Sequence, residues 1–300
     1  MKTYKTYLQR KGFSNTTIQS YHNSLLQYIN WTEDNKIEAE QSTYNELLGY
    51  VHALKKKELQ QRSIQIVVNS LRHYFNWLIH RNIRKDNPAI NIDIKGIKRK
   101  VLHNVFNKQE LEKLYKDYKE LPVITGNYTT RKLSRKRNEV ILSLLIYQGL
   151  NVTELSRLTI TDIKLREGKI YIANTRKSNE RTLQLESHQV IDIMEYTLQT
   201  RQQLLEITKK ETDLLFISIG TLTDLHNAIG KLLQQLKKLN KKVSSLNQIR
   251  TSVITNWLKV YNLREVQYMA GHRYVSSTEA YQINDLEGLQ EDINKYHPLS

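Results

Sequence analysis

The sequence predicts a mainly α-helical chain with a small antiparallel β-sheet (α+β), arranged as a helical first domain over residues 1–90 and a larger domain over 106–300. Three observations lead there. Apolar residues recur at helical spacing along most of the chain, as in Ile64, Val67, Val68, Leu71, Phe75 and Leu78. One stretch alternates as strands do, Gly168–Ala173 and Arg181–Leu185, around the polar turn Asn174–Glu180. Asn87-Pro88 closes the first pattern, because proline has no amide to continue a helix.

In chain order, Ser14 stands at an N-cap position before a helix over Thr16–Tyr28, with Ile18, Tyr21, Leu25 and Ile29 on one face. Ser63 opens a stronger helix whose apolar face reads as core. Its other face holds Arg62, Gln65, Asn69, Arg72 and His73, donors and acceptors suited to phosphates and base edges. Residues 91–105 form a linker carrying Lys98, Arg99 and Lys100, a charged strap suited to a polyanion backbone. Asn107–Glu110 has the form of a capping box before Leu111 and Leu114. Residues 125–137 are polar and basic and lead into an apolar helix over 138–147, which Gly149 ends; Val152–Leu158 restarts a short helix. Helices follow at about 187–205, 223–239, 246–260 and 263–269, and Asp285–Tyr296, with Leu286, Leu289 and Ile293, reads as a short terminal helix.

Composition narrows the function. The formal charge of +16 points to a polyanionic partner. It is spread widely: residues 1–95 carry a net +6, residues 96–105 +3 and the remainder +7, so both domains are expected to touch that partner. Cysteine is absent, which removes disulfides, thiolate metal sites and cysteine nucleophiles. The first residues lack the apolar core of a signal peptide, and the run Val140–Tyr147 is too short to span a bilayer; a cytoplasmic, nucleoid-associated protein is expected. None of the ten glycines forms a phosphate loop, against a nucleotide triphosphatase. No carboxylate pair has metal-binding spacing, against a metal-dependent nuclease. Neither metal nor cofactor is expected.

Near the C-terminus, Asn247-x-x-Arg250, Gly271-His272 and Tyr281 stand in an order that resembles the second catalytic box of the tyrosine recombinases, the phage integrase family. Tyr147–Leu158 followed by Asp162 resembles the first box. The Gly12–Tyr21 pattern, Leu71-x-x-Tyr74-Phe75-x-Trp77-Leu78 and Asn87-Pro88-Ala89 look like that family's core-binding domain. The resemblance runs from Gly12 to Tyr281. It implies a helical core-binding domain followed by a tyrosine-recombinase catalytic domain. It also implies a site-specific recombinase acting on double-stranded DNA, a homo-oligomer of two to four copies on that DNA, and an accessory DNA-bending protein.

In such an enzyme Tyr281 attacks a DNA phosphate, leaving a 3′-phosphotyrosine that conserves bond energy for religation through a four-way junction. Arg250 and His272 hold phosphate oxygens where charge builds up. The sequence departs from the family in three places. The first arginine falls on Asn151, which supplies no charge, and Arg131, Arg135, Arg137 and Arg157 are candidates to replace it. The usual histidine of the second box is Asn247. The catalytic lysine falls on Arg176, with Lys177 beside it; Lys177 is assigned as general acid, since a guanidinium does not readily release a proton. Glu154 reads as a structural anchor. A recombinase-derived DNA-binding protein that cleaves poorly is the alternative, favoured by Asn151 and Asn247; a relaxing, topoisomerase-like enzyme is a third reading.

Overall fold

The computed structural model describes residues 2–97, 105–122, 128–175, 178–219 and 225–282. Its two compact units are Met1–Lys100 and Val101–Ser300. Lys98, Arg99 and Lys100, Arg176 and Lys177, and the segment Asp285–Tyr296 lie outside the described residues.

The first unit is built from α1 (Lys2–Arg10), α2 (Asn15–Asp34), α3 (Tyr44–Lys56) and α4 (Gln61–His80). The expected cap is present: the Ser14 hydroxyl accepts from the Thr17 amide at 3.3 Å. Thr43 and Glu46 form a full capping box at the start of α3. The predicted apolar face of α4 packs inward, with Ile64, Phe75 and Leu78 fully buried. Tyr4, Tyr28, Tyr50, Tyr74 and Phe75 interlock through edge-to-face contacts with ring centroids 5.1 to 6.4 Å apart. The core does not stop at the proline. Ile92 and Ile94, read as linker, are buried in it, and Arg72 holds that segment by donating to the Ala89 and Ile92 carbonyls.

The second unit opens on Phe106, whose amide donates to Ser252 Oγ at 2.9 Å and whose carbonyl accepts from Asn256 Nδ2 at 3.1 Å. Then come α5 (Lys108–Glu120), α6 (Tyr128–Tyr147), α7 (Val152–Leu155), β1 (Ile163–Lys164), β2 (Lys169–Ile172), β3 (Arg181–Gln184), α8 (Ser187–Glu195), a π-helical turn (Tyr196–Thr200), α9 (Arg201–Thr208), α10 (His226–Leu239), α11 (Leu246–Leu258) and α12 (Leu263–Ala270). A last helical segment spans 275–282. The strands form one antiparallel sheet in the order β1-β2-β3, with Ile172 opposite Arg181.

One segment differs from its sequence reading. Residues 128–137, read as a lead-in to a helix, are the first half of α6. Helix formers dominate it, and Arg135 anchors it by donating to the Leu121, Tyr118 and Lys119 carbonyls at the end of α5. Among the described residues no helix is long and apolar enough to cross a membrane.

Candidate active site

The site begins at the turn between α6 and α7. Gly149 has φ +57°, and a Cβ there would lie 3.1 Å from Trp257 and 3.2 Å from Val253, so glycine lets the turn pack against α11. Asn151 then serves as the N-cap of α7. Its side chain accepts from the Glu154 amide at 2.9 Å, and its own amide donates to Glu154 Oε2 at 2.9 Å. The capping box explains why an asparagine works locally where the family resemblance leads one to expect arginine.

Glu154 is the hub. Its side chain is 1% exposed and paired with Arg181, 0% exposed, through Nη1–Oε1 at 2.9 Å and Nη2–Oε2 at 3.1 Å. Arg250 Nη1 stands 3.4 Å from Oε2. Burial alone would raise the carboxyl pKa. The Arg181 hydrogen bonds and charge, with Arg250 and the Asn151 amide, outweigh it and hold the group ionised. Arg250 also donates to the Gly149 carbonyl and, at 2.6 Å, to the Ala270 carbonyl. Burial and neighbouring Arg181 draw its pKa down while Glu154 opposes them, and a guanidinium stays protonated at neutral pH. The two arginines and one carboxylate leave a net +1, fixed by packing.

The β2–β3 hairpin is fastened to the end of α12. Gly271 ends that helix with φ +67°; a Cβ there would press into the Arg181 guanidinium, 2.9 Å from Cζ. The Asn179 amide donates to the Gly271 carbonyl at 3.0 Å, Ser178 and His272 form an antiparallel bridge, and the Thr182 amide donates to the Tyr268 hydroxyl at 3.0 Å. Ser178, hydrogen-bonded to Thr175, is thus held beside His272.

His272 Nδ1 lies 2.9 Å from the Thr278 hydroxyl. Its ring stacks on Tyr281 at 5.6 Å and 15°. Burial foremost, then Arg250 and Arg181, push the imidazole pKa down to about 4, so it is neutral at pH 7. The Tyr281 ring packs against Ile254, Val266 and Ala270, beside Trp257 and Leu258. Arg250, His272 and Tyr281 therefore converge, as the sequence leads one to expect. Asn247 is exposed on the first turn of α11, one turn before Arg250.

Of the candidates to replace the first arginine, Arg135 is engaged with carbonyls of α5 and with Glu139. Arg137 is buried and donates to the Ile217 carbonyl and Asn138. Arg131 and Arg157 are exposed. The guanidinium that accompanies Arg250 is Arg181, which the sequence places only at the start of a strand. An arginine at an inward-facing strand position was the available signal, since such a group requires a buried carboxylate. Also missed is a basic cleft between α6 and α10, lined by Arg131, Arg135, Arg137, Lys231 and Lys238. In the first unit Arg62 is exposed, whereas Gln65, Asn69 and Arg72 form a hydrogen-bonded row and His73 packs between Phe13 and Tyr21.

Residues 104–287 match the phage integrase family, and residues 1–82 match the phage integrase N-terminal SAM-like domain. The chain belongs to the phage integrase family of tyrosine recombinases. Among curated proteins it is 26% identical to the tyrosine recombinase XerD of Oceanobacillus iheyensis, covering 96% of this chain and 94% of that one. It is also 26% identical to XerD of Staphylococcus epidermidis, covering 99% and 98%. Among solved structures it shares its fold with the XerH site-specific recombinase bound to a palindromic difH substrate in a post-cleavage complex. There the TM-score is 0.71 at 18% identity, covering 92% of this chain and 78% of that one.

Proposed function

We propose that this protein is a site-specific DNA recombinase that cuts and rejoins double-stranded DNA through Tyr281. The observation that carries this is the convergence of Arg250, His272 and Tyr281 beside the buried Glu154–Arg181 pair, a cluster that keeps a net positive charge. A phosphodiester resists nucleophiles because it is anionic, so a transfer site presents fixed positive charge and hydrogen-bond donors. Here the charge is held in place before substrate arrives. In the forward step the Tyr281 phenol loses its proton to solvent as its oxygen bonds to phosphorus, and the bond from phosphorus to the 5′ oxygen breaks. The departing oxygen takes a proton, which we assign to Lys177. The 5′ hydroxyl of a second strand then attacks the phosphotyrosine and regenerates the phenol. Arg250 and His272 hold the phosphate oxygens through both steps, and Asn247 and Asn151 donate at the periphery.

The α6–α10 cleft, Lys98, Arg99, Lys100, Arg176 and the exposed Arg62 at the start of α4, with Gln65 beside it, bind the DNA backbone. Assembly on DNA as a dimer, and across two sites as a tetramer, follows from the need for paired strand exchange, with an accessory DNA-bending protein as a further partner. A cytoplasmic, nucleoid-associated location suits that substrate. Sequence-independent contacts of this kind make binding strongly salt-dependent.

The test is covalent trapping on nicked duplexes tiled across the DNA flanking the gene, with wild type and Tyr281→Phe. An adduct on denaturing gels that vanishes in the variant supports the reading. Sequence-specific retention on native gels with no adduct from either protein refutes it in favour of a DNA-binding module.

A further inference from the structure

The second nitrogen of His272 is occupied by Thr278, a residue to which the reaction above gives no role. Thr278 is fully buried, and its hydroxyl lies 2.9 Å from Nδ1. It rides on the helical segment 275–282 one turn before Tyr281, so nucleophile and imidazole partner share one rigid element. Two arrangements satisfy the distance. If Nδ1–H donated to the hydroxyl oxygen, the hydroxyl proton would need another acceptor in a place with no access to water. Among the described residues Thr278 has no other hydrogen-bond partner, and a buried donor left unpaired carries its full desolvation cost. The hydroxyl therefore donates, Nδ1 accepts, and the ring proton sits on Nε2.

We infer that Thr278 is a positioning residue: by donating to Nδ1 it fixes the His272 proton on Nε2, so the imidazole meets the scissile phosphate as an uncharged donor and not as the base that deprotonates Tyr281. The stacking agrees with this. Rings 15° from parallel keep the in-plane lone pairs of the imidazole off the phenol, and among the described residues no hydrogen bond joins His272 to Tyr281. The low basicity of the ring makes the tautomer consequential, because an imidazolium would carry protons on both nitrogens whatever Thr278 did. The catalytic part of this inference rests on the recombinase reading; the tautomer does not.

The experiment is long-range proton–nitrogen NMR on full-length protein labelled with ¹⁵N-histidine, His272 being assigned by loss of its signals in His272→Gln. At pH 7 we expect an unprotonated Nδ1 and a protonated Nε2 in wild type and in Thr278→Ser, and a mixed or reversed pattern in Thr278→Val. A protonated Nδ1 in wild type, or an unchanged pattern in Thr278→Val, overturns the assignment. Single-turnover cleavage of a nicked site is then expected to slow about tenfold in Thr278→Val, with DNA affinity unchanged, and to recover in Thr278→Ser. Unchanged cleavage in Thr278→Val, or equal loss in both variants with an unaltered melting temperature, overturns the catalytic part. Absence of adduct from wild type would count against Tyr281 chemistry while leaving the tautomer result standing.

Discussion

Replacing Gly271 with alanine tests the coupling between hairpin, carboxylate and α12 in a single methyl group. Two costs add. The residue holds φ +67°, where a Cβ is strained by about 1–2 kcal/mol. The new carbon would also occupy space taken by the Arg181 guanidinium, 2.9 Å from Cζ and 3.2 Å from the Asn179 carbonyl. Arg181 is confined at 0% exposure, so it yields only by leaving Glu154. Breaking a buried pair from one side costs about 3–5 kcal/mol, and partial relaxation lowers that, so we expect a total of about 4 kcal/mol. For a unit of this size that corresponds to a fall of roughly 8–16 °C in melting temperature, read by differential scanning calorimetry. The same substitution in a Glu154→Gln/Arg181→Met background should cost only the backbone share, about 1–2 kcal/mol. An equal cost in both backgrounds, or under 1 kcal/mol in wild type, would refute the claim that Gly271 makes room for Arg181.

Three further expectations follow from the same geometry. Asn151→Ala should cost about 1 kcal/mol in chemical denaturation by removing the α7 cap, whereas Asn151→Arg should lose similar stability yet raise the single-turnover cleavage rate by restoring a charge. The His272 pKa falls from 6.5 to about 4 on folding, so between those values the unfolded chain binds the extra proton. This residue's contribution to stability is therefore complete above pH 6.5 and is lost as the pH falls toward 4. Denaturation of wild type and His272→Gln across that window should show the wild type losing ground on acidification. In the first unit, Arg72→Ala should lower thermal stability by releasing the 89–92 segment, while Arg62→Ala should leave stability intact and weaken DNA retention in a salt-dependent manner.

How much of this was legible beforehand depends on what kind of signal each residue gives. Helices and hairpin were readable because the apolar period switches from 3.6 to 2 and because Ser14 and Asn107 announce their caps. Residues 128–137 were not, since a half-helix whose partners are backbone carbonyls needs no apolar stripe. The grouping of Arg250, His272 and Tyr281 is what the resemblance to the recombinases' second box implies, and the three side chains do stand together. Arg181 was missed because a charged side chain on a short strand reads as solvent-facing until Glu154 is brought opposite it. Arg72 and His73 show the converse: polar residues on a helix face state what they can bond, and tertiary packing decides whether the partner is DNA or the protein itself. The role of Thr278 depends on which atoms lack any other partner, a property of the folded site alone.

The most direct test of the central claim is to locate the covalent bond. Wild-type protein trapped on a nicked cognate duplex would be digested with nuclease and protease and its peptides sequenced by mass spectrometry. A 3′-phosphonucleotide on Tyr281 is the expected result. Attachment to any of the other tyrosines, or a specifically bound complex without attachment, would contradict it.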